Sequence, residues 1–220
     1  MPFPTTSLLD NFNRANGALG SNWTAGTITG ETGAPTIVSN TAQGGTSGSS
    51  LSANWNVTSF GPDSEVYATV TSKITSGLSS GMQLRARYNA GSKNTYTVYA
   101  EADTGTDTWT LFKVSNSAYS QLGATFSQEF AVGDAIGLSV VGTTLTAYYK
   151  ASGGSWTALT TRTDSTFSAA GLIGMELEPG SGTFGSWDDF GGGTVVTATA
   201  VPPRLIRSLD PTDFIPMEDF

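Results

Sequence analysis

The sequence predicts an all-β protein built from two packed antiparallel sheets, and three observations carry this prediction. Apolar residues recur at every second position, as in Val66, Ala68 and Val70, which gives each strand one buried and one wetter face. Such runs are numerous and evenly spaced between Gly, Asn, Asp or Ser turns, which favours a sandwich. Only 13% of the 220 residues are charged, whereas Gly, Ser and Thr are abundant, a bias typical of exposed β-sheet proteins.

The predicted strands follow one another along the body of the chain. Apolar side chains at positions 82, 84, 86 and 88 alternate with Gln83, Arg85 and Arg87, so these three polar side chains are expected on one face. Gly142 is available for positive φ between two β-rich runs and predicts a hairpin. Further strands are predicted at residues 95–102, 108–115, 135–141, 144–150, 172–178 and 183–190.

The composition excludes most catalytic and metal chemistry. The chain contains no His and no Cys, so it has no Ser-His-Asp or Cys-His nucleophile, no zinc or copper site of the usual ligands and no disulfide. Its 18 acidic and 10 basic residues give a net charge of −8, which disfavours nucleic acid and anionic membrane as partners. No segment approaches the length of a membrane span.

One domain, residues 1–193, and an extended C-terminal arm, residues 194–220, are expected. No linker-like break interrupts the body between residues 7 and 190, and a single sandwich commonly reaches this size. The N-terminus carries no positive charge before Arg14 and no apolar run long enough for a signal peptide. We therefore expect synthesis in the cytoplasm without export through a signal peptide.

Three segments, in order along the chain, resemble one fold family. The first is DNFNRANGALGSNW at 10–23, in which apolar anchors alternate with glycine- and asparagine-rich turns. The second is the hairpin IGLSVVGTTLTAYY at 136–149, and the third is AGLIGMELEPGSGTFGSWDDF at 170–190. Together they resemble the concanavalin A-like (laminin-G-like) jelly-roll domains of bacterial secreted proteins and bacteriophage virion proteins, over residues 7–190.

This resemblance implies both architecture and a range of functions. The first and last strands of such domains lie side by side, so Phe12 is expected near Phe190. The concave sheet of the family often binds glycans, but the family also includes purely structural modules. The expected fold is thus a two-sheet antiparallel jelly-roll sandwich with an extended C-terminal arm.

Some jelly rolls of this type cleave β-glucans, which makes strand carboxylates candidate catalysts. Glu101-Ala102-Asp103 begins the Glu-x-Asp arrangement of those enzymes, but the third carboxylate that they require is absent. Glu176 and Glu178 share a strand face at roughly 7 Å, within the range of an inverting pair. Yet Pro179 ends that strand, and solvated strand-end acids explain the pair. We therefore expect no enzymatic activity and no catalytic residue.

A calcium ion is the one cofactor that the sequence leaves open. Asp10, Asp188 and Asp189 supply hard oxygen ligands, and related sandwiches sometimes hold calcium. Adjacent residues of a strand point to opposite faces, so only one of Asp188 and Asp189 is expected to join Asp10. No Asp-x-Asp-x-Asp loop occurs, and capping of turns is the alternative role of these aspartates.

The polar face opposite the core is the expected place for a glycan. Gln83, Arg85 and Arg87 on one strand and Tyr99 and Glu101 on the next combine an aromatic ring with groups that bond sugar hydroxyls. The alternative is a solvated sheet with cross-strand Arg-Glu pairs. Core or loop packing is expected for the tryptophans Trp55, Trp109 and Trp156.

The C-terminal arm combines prolines with apolar side chains. The prolines at 202, 203, 211 and 216 forbid a regular helix or a central strand, so the apolar residues cannot be buried within the arm's own structure. Docked on another subunit they become anchors. The predicted docking residues are Leu205, Ile206, Leu209, Phe214, Ile215 and Phe220.

Two functional hypotheses follow from these features. The first is a non-enzymatic bacteriophage virion protein, a capsid decoration or minor tail component, docked on neighbouring virion subunits through the arm and adhering weakly to host glycans. The alternative is a free carbohydrate-binding, lectin-like module, and a glycoside hydrolase is less favoured. Under the first hypothesis the protein is made in the host cytoplasm and resides in the virion as part of an oligomeric assembly.

Overall fold

The computed structural model describes residues 2–45, 49–74, 81–102, 106–179 and 183–196. These residues form a sandwich of two nine-stranded sheets, without an α-helix among them. Within the same ranges, no helix is long and apolar enough to cross a membrane. The predicted all-β architecture of two sheets is therefore confirmed. The predicted docking residues of the C-terminal arm lie outside the described residues.

The chain crosses several times between the two sheets. In order they are β1 (Leu8–Asp10), β2 (Gly17–Ala18), β3 (Trp23–Ala25), β4 (Glu31–Gly33), β5 (Thr36–Val38), β6 (Thr41–Gln43), β7 (Ser50–Trp55), β8 (Ser64–Ser72), β9 (Gly81–Asn89), β10 (Asn94–Glu101), β11 (Thr108–Ser115), β12 (Ala118–Gln121), β13 (Phe126–Ser127), β14 (Ala135–Val141), β15 (Thr144–Lys150), β16 (Thr157–Thr163), β17 (Leu172–Leu177) and β18 (Ser186–Thr194). The first sheet has the order β16-β15-β14-β8-β18-β6-β5-β2, with β1 also paired to β18. The second has the order β12-β11-β10-β9-β17-β7-β3, with β13 on β11 and β4 on β7.

The first and last strands lie side by side, as the opening motif predicts. Asp10 of β1 lies opposite Phe190 of β18. Phe12 and Phe190 are fully buried, and both pack on the Trp23 ring, with ring centroids 5.8 Å and 4.8 Å from it. The Trp23 indole N–H donates to Asp10 Oδ2 at 2.7 Å. The motif thus closes one end of the core.

The core fills the space between the sheets with the predicted alternating side chains. Val66, Ala68 and Val70 of β8 are fully buried, and so are Met82 and Leu84 of β9. The predicted runs 108–115, 135–141 and 144–150 coincide with β11, β14 and β15, and Gly142 takes a φ of +55° in the hairpin between the last two. Trp55 and Trp109 are buried in the core, as expected.

Gly191, Gly192 and Gly193 lie inside β18, at the end of the predicted body. β18 ends at Thr194, and the next backbone N–H, that of Val195, donates to the Asp63 carbonyl at 2.9 Å. The glycines are needed for close approach of neighbouring groups. A Cβ at Gly191 would lie 2.2 Å from the Tyr67 ring, and one at Gly192 would lie 2.3 Å from the Glu65 carbonyl oxygen.

A buried carboxylate fixes the N-terminal segment on the outside of the same sheet. Glu65 is 1% exposed, and its Oε1 accepts hydrogen bonds from the backbone N–H and the hydroxyl of both Thr5 and Thr6. Ahead of them, the Phe3 ring stacks on Tyr148 with ring centroids 3.8 Å apart and packs edge-on against Trp156. This segment therefore occupies the outer face of the first sheet, whereas the outer face of the second sheet holds the cavity described below.

Candidate functional site

A cavity of about 470 Å³ opens on the outer face of the second sheet. Along β10, Val98 and Ala100 enter the core, so Tyr99 and Glu101 between and after them face away from the first sheet. Residues 28–31, which lead into β4, and strand β12 complete the walls. The lining carries the carboxylates Glu31, Glu101, Glu176 and Glu178, the rings Tyr99, Phe112 and Tyr119, and the polar side chains Ser50 and Gln83.

Strand register sets the floor of the cavity. Gln83 of β9 lies opposite Tyr99 of β10 on one side and opposite Glu176 of β17 on the other. Directly opposed residues of antiparallel strands point to the same face, so these three side chains form one row across the sheet. Two residues after Tyr99 on β10, and on the same face, Glu101 lies opposite Gly81.

A missing side chain makes room for the Tyr99 ring. A Cβ at Gly81 would lie 2.1 Å from that ring. The Tyr99 hydroxyl donates to Glu178 Oε2 at 3.0 Å, and the same oxygen accepts the backbone N–H of Gly81 at 3.1 Å. Burial raises the pKa of Tyr99 and also that of Glu178, so the hydroxyl stays protonated as the donor.

One buried guanidinium holds two carboxylates beneath the cavity. Arg85 Nη2 donates to Glu31 Oε1 at 2.6 Å and also to Glu176 Oε2, and both Arg85 and Glu31 are 1% exposed. Burial raises the pKa of Glu176 to about 7, against the opposing effect of Arg85. Since one cation neutralises only one of two carboxylates, the second keeps its proton more readily. The expectation that Glu176 is a solvated strand-end acid is therefore wrong, because it is 3% exposed.

The loop that brings Glu31 onto the sheet is fixed at several points. The backbone N–H of Ile28 donates to Glu31 Oε2 at 2.9 Å, and that of Thr27 donates to the Tyr88 hydroxyl at 2.9 Å. The Thr29 N–H donates to Ser117 Oγ at 3.0 Å. These bonds hold the loop over Gln83 and Arg85 of β9. The loop explains why these two side chains are buried although they point away from the core.

Arg87 does not share the face of Gln83 and Arg85, contrary to the expectation from alternation. A β-bulge lies between β9 and β10, and Arg87 takes a φ of +54° within it. Its guanidinium donates to the carbonyls of Pro62, Phe167 and Gly142 and lies 5.9 Å from the centroid of the Tyr96 ring. Arg87 thus ties the loops at one end of the sandwich and lies outside the cavity.

Of the five predicted glycan-face residues, three line the cavity. Gln83, Tyr99 and Glu101 do so, and Arg85 lies buried underneath. Among the lining residues that were not predicted as ligands, Phe112 could have been found from the sequence, because alternation along the predicted strand 108–115 places it on the outer face. Tyr119 and Glu31 lie on short elements without a periodic pattern.

Two of the aspartates considered for calcium, Asp10 and Asp188, accept hydrogen bonds from donors of the protein. Asp10 accepts the backbone N–H of Phe12, both terminal nitrogens of Arg14 and the indole N–H of Trp23. Asp188 accepts the backbone N–H of Asp189 at 2.8 Å. No group of three or more Asp, Glu, His or Cys residues in the described ranges is arranged to hold a metal ion. Calcium binding by these aspartates stays a prediction.

Solved structures with related folds were found, although no protein-family model and no curated protein sequence matches the chain. The carbohydrate-binding module CBM66 from Bacillus subtilis is 19% identical at a TM-score of 0.55, covering 80% of this chain and 98% of that one. The Ca²⁺/Man2-bound exoplasmic/lumenal domain of VIP36 is 12% identical at a TM-score of 0.61, covering 97% and 96%.

Two further structures bear on the functional hypotheses. The CBM2 module of the evolved Dit protein of Lactobacillus casei BL23 phage J-1 is 14% identical at a TM-score of 0.55, covering 86% of this chain and 95% of that one. The GH43 protein BlXynB from Bacillus licheniformis is 12% identical at a TM-score of 0.56, and the match covers only 39% of its chain. At these identities the likeness is one of fold. The protein has the concanavalin A-like jelly-roll fold.

Proposed function

We propose that this protein is a non-catalytic carbohydrate-binding module whose ligand occupies the cavity on the outer face of the second sheet. The observation that carries the proposal is the lining, in which the rings of Phe112 and Tyr119 stand 5.6 Å apart beside four carboxylates. The volume of about 470 Å³ lies in the range of small-molecule sites. The shared fold with a carbohydrate-binding module and with mannose-bound VIP36 gives further support.

The lining has the two kinds of contact that a sugar requires. Aromatic rings present an apolar surface to the C–H face of a pyranose or furanose, and Tyr119, 41% exposed, is accessible for this contact. Carboxylate oxygens accept hydrogen bonds from hydroxyl pairs, and the Gln83 amide both donates and accepts. The bonds that already fix Tyr99 and Glu176 preorganise the site, which lowers the entropy cost of binding.

The environment of the carboxylates supports binding rather than hydrolysis. A glycosidase needs one carboxyl group to protonate the leaving oxygen and a second as base or nucleophile. Glu176 is held by Arg85, and Glu178 Oε2 is bonded by Tyr99 and by the Gly81 N–H. Both groups are thus committed to partners in the protein, in accord with the incomplete Glu-x-Asp arrangement at Glu101.

Replacing Tyr119 by Ala is expected to weaken glycan binding about tenfold or more while the fold is retained. The side chain lies on the exposed strand β12, and its loss removes a stacking surface worth roughly 0.5–1.5 kcal/mol beyond its buried area. The measurement is an array of neutral, amine-bearing and acidic oligosaccharides, followed by calorimetric titration of each hit with the wild type and the variant.

Tyr119→Phe is the matched control, because it keeps the ring and removes only the hydroxyl that donates to Glu176 at 3.3 Å. We expect most of the affinity to remain. The hits are also incubated with the protein and assayed for new reducing ends, and none are expected. Absence of binding across the array contradicts the proposed function, and turnover that Glu101→Gln abolishes contradicts its non-catalytic part.

A second proposal, that the protein is a bacteriophage virion component, is supported by the fold shared with the phage J-1 Dit module. Here the arm docks on a neighbouring subunit, and glycan binding serves adhesion. The structure refines the test, because Val195 is buried in the body. A chain ending at Val196 is expected to fold as a monomer and to fail to load onto particles in a reconstitution assay. Normal loading of the truncated chain contradicts arm docking.

A further inference from the structure

We infer that the cavity selects sugars by charge: it prefers amine-bearing sugars to uncharged ones and rejects uronic and sialic acids. This inference rests on the proposed function and adds the substrate class. The residues that set the selectivity are Glu101 and Glu178, which form the acidic end of the cavity beside the Tyr99 hydroxyl.

The charges around the cavity are unbalanced. Four carboxylates line it, and its described lining contains no Lys or Arg. Arg85, the cation that pairs with two of these carboxylates, lies beneath the cavity and is shared between Glu31 and Glu176. This cluster of three groups therefore contributes no net positive charge to a ligand, even with Glu176 protonated.

At the acidic end, the part of the chain that the structure describes places no cation in an ion pair with either carboxylate, Glu101 or Glu178. The charge of Glu101 raises the pKa of Glu178, after the larger effect of burial, so the two carboxylates are close enough to repel one another. A positively charged group placed between them relieves this repulsion, whereas a third carboxylate adds to it.

Exclusion from solvent makes the effect strong enough to decide specificity. Opposite charges at about 4 Å attract several times more strongly at the edge of a protein than in bulk water. The net charge of −8 adds a long-range field of the same sign, which lowers the association rate of anionic ligands. Uncharged sugars experience neither effect, so their affinity is expected to lie between those of the amine-bearing and the acidic sugars.

The test compares triplets that share linkage and ring configuration and differ in one substituent per ring, an amine in place of a hydroxyl or a carboxylate in place of a hydroxymethyl group. The full chain is titrated with β-1,4-linked hexamers of glucose, glucosamine and glucuronic acid, and with the corresponding manno- and galacto-configured triplets. The pH is kept near 6.5, below the pKa of roughly 7.7–8.0 of an ordinary α-amino group. In the configuration that binds, we expect the amine to bind at least about tenfold more tightly than the uncharged hexamer, and the uronate at least about tenfold more weakly.

Two further measurements assign the selectivity to the acidic end. In the double variant Glu101→Gln with Glu178→Gln, both affinity ratios are expected to approach one, since the amides keep the acceptor oxygens and lose the charge. In the wild type, raising the salt concentration from about 0.01 M to about 1 M shortens the Debye length from about 30 Å to 3 Å and should compress the same ratios. The salt series tests the electrostatic origin of the selectivity even where the double variant does not fold.

The failure of the inference is distinguishable from that of the proposed function. A uronate that binds as tightly as its uncharged counterpart overturns charge selection and leaves carbohydrate binding intact. Unchanged ratios in a folded double variant overturn the role of Glu101 and Glu178. Absence of binding by all the hexamers and across the array contradicts the proposed function, and the inference falls with it.

Discussion

Replacing Arg85 by Met is expected to lower the free energy of unfolding by about 3–5 kcal/mol. The side chain is 1% exposed and is the cation shared by Glu31 and Glu176, which are buried with it. Methionine fills much of the volume but leaves the two carboxylates without a cation, and removal of one partner from a buried ion cluster costs far more than the cluster contributes. Urea unfolding at neutral pH, followed by tryptophan fluorescence, measures the loss.

Two comparisons separate the loss of charge from the loss of packing. Lys113→Met is the matched control, because it removes the same charge from a partly exposed pair with Asp164, at a cost of about 0–1 kcal/mol. Adding Glu31→Gln and Glu176→Gln to Arg85→Met removes the uncompensated carboxylates and should restore part of the lost stability. If Arg85→Met alone lowers the free energy of unfolding no more than Lys113→Met does, the buried cluster is not the element that fixes residues 28–31 over the sheet.

The sequence was sufficient to predict the strands on which the site is built, because burial on one face imposes a period of two. The alternation of Met82 and Leu84 with Gln83 and Arg85 predicted which side chains leave the core. The same reasoning placed Arg87 on the wrong face. A bulge inserts one residue and reverses the pattern after it, and nothing in the side chain of an arginine indicates a φ of +54°.

The remainder of the site depends on contacts that are remote in sequence. Glu31 reaches Arg85 from a loop 54 positions earlier, and Glu178 accepts from Gly81 across 97 positions. Glu31 belongs to no periodic run, and the alternation along the predicted strand 172–178 does not indicate which residue Glu178 meets. The topology, with β9 between β10 and β17, brings these partners together. This also explains why Glu176 was expected to be solvated: its burial comes from the loop that covers the sheet, not from its own strand.

The role of the three consecutive glycines near the end of the body also depends on residues that are remote in sequence. The run Gly191-Gly192-Gly193 stands at the end of the predicted body, residues 1–193, and no role was predicted for it. In the structure the run is the end of a strand whose neighbours approach its backbone closely. The missing side chains reflect packing against Tyr67 and Glu65, so substitution there is expected to affect the stability of the body.

Replacing Gly192 by Ala is therefore expected to destabilise the body by roughly 2–6 kcal/mol, through backbone strain and overpacking of roughly 1–3 kcal/mol each. Its φ is +146°, and a Cβ would lie 2.3 Å from the Glu65 carbonyl oxygen and 2.9 Å from Val66 Cα, both backbone atoms within the sheet. Gly17→Ala is the matched control, because Gly17 has a φ of +147° with nothing within 4 Å of its Cβ position, so it reports the strain alone. Chemical denaturation of both variants gives the difference that is due to close packing. Equal losses in the two variants, or a Gly192→Ala protein as stable as the wild type, contradict the close packing of this run within the last strand.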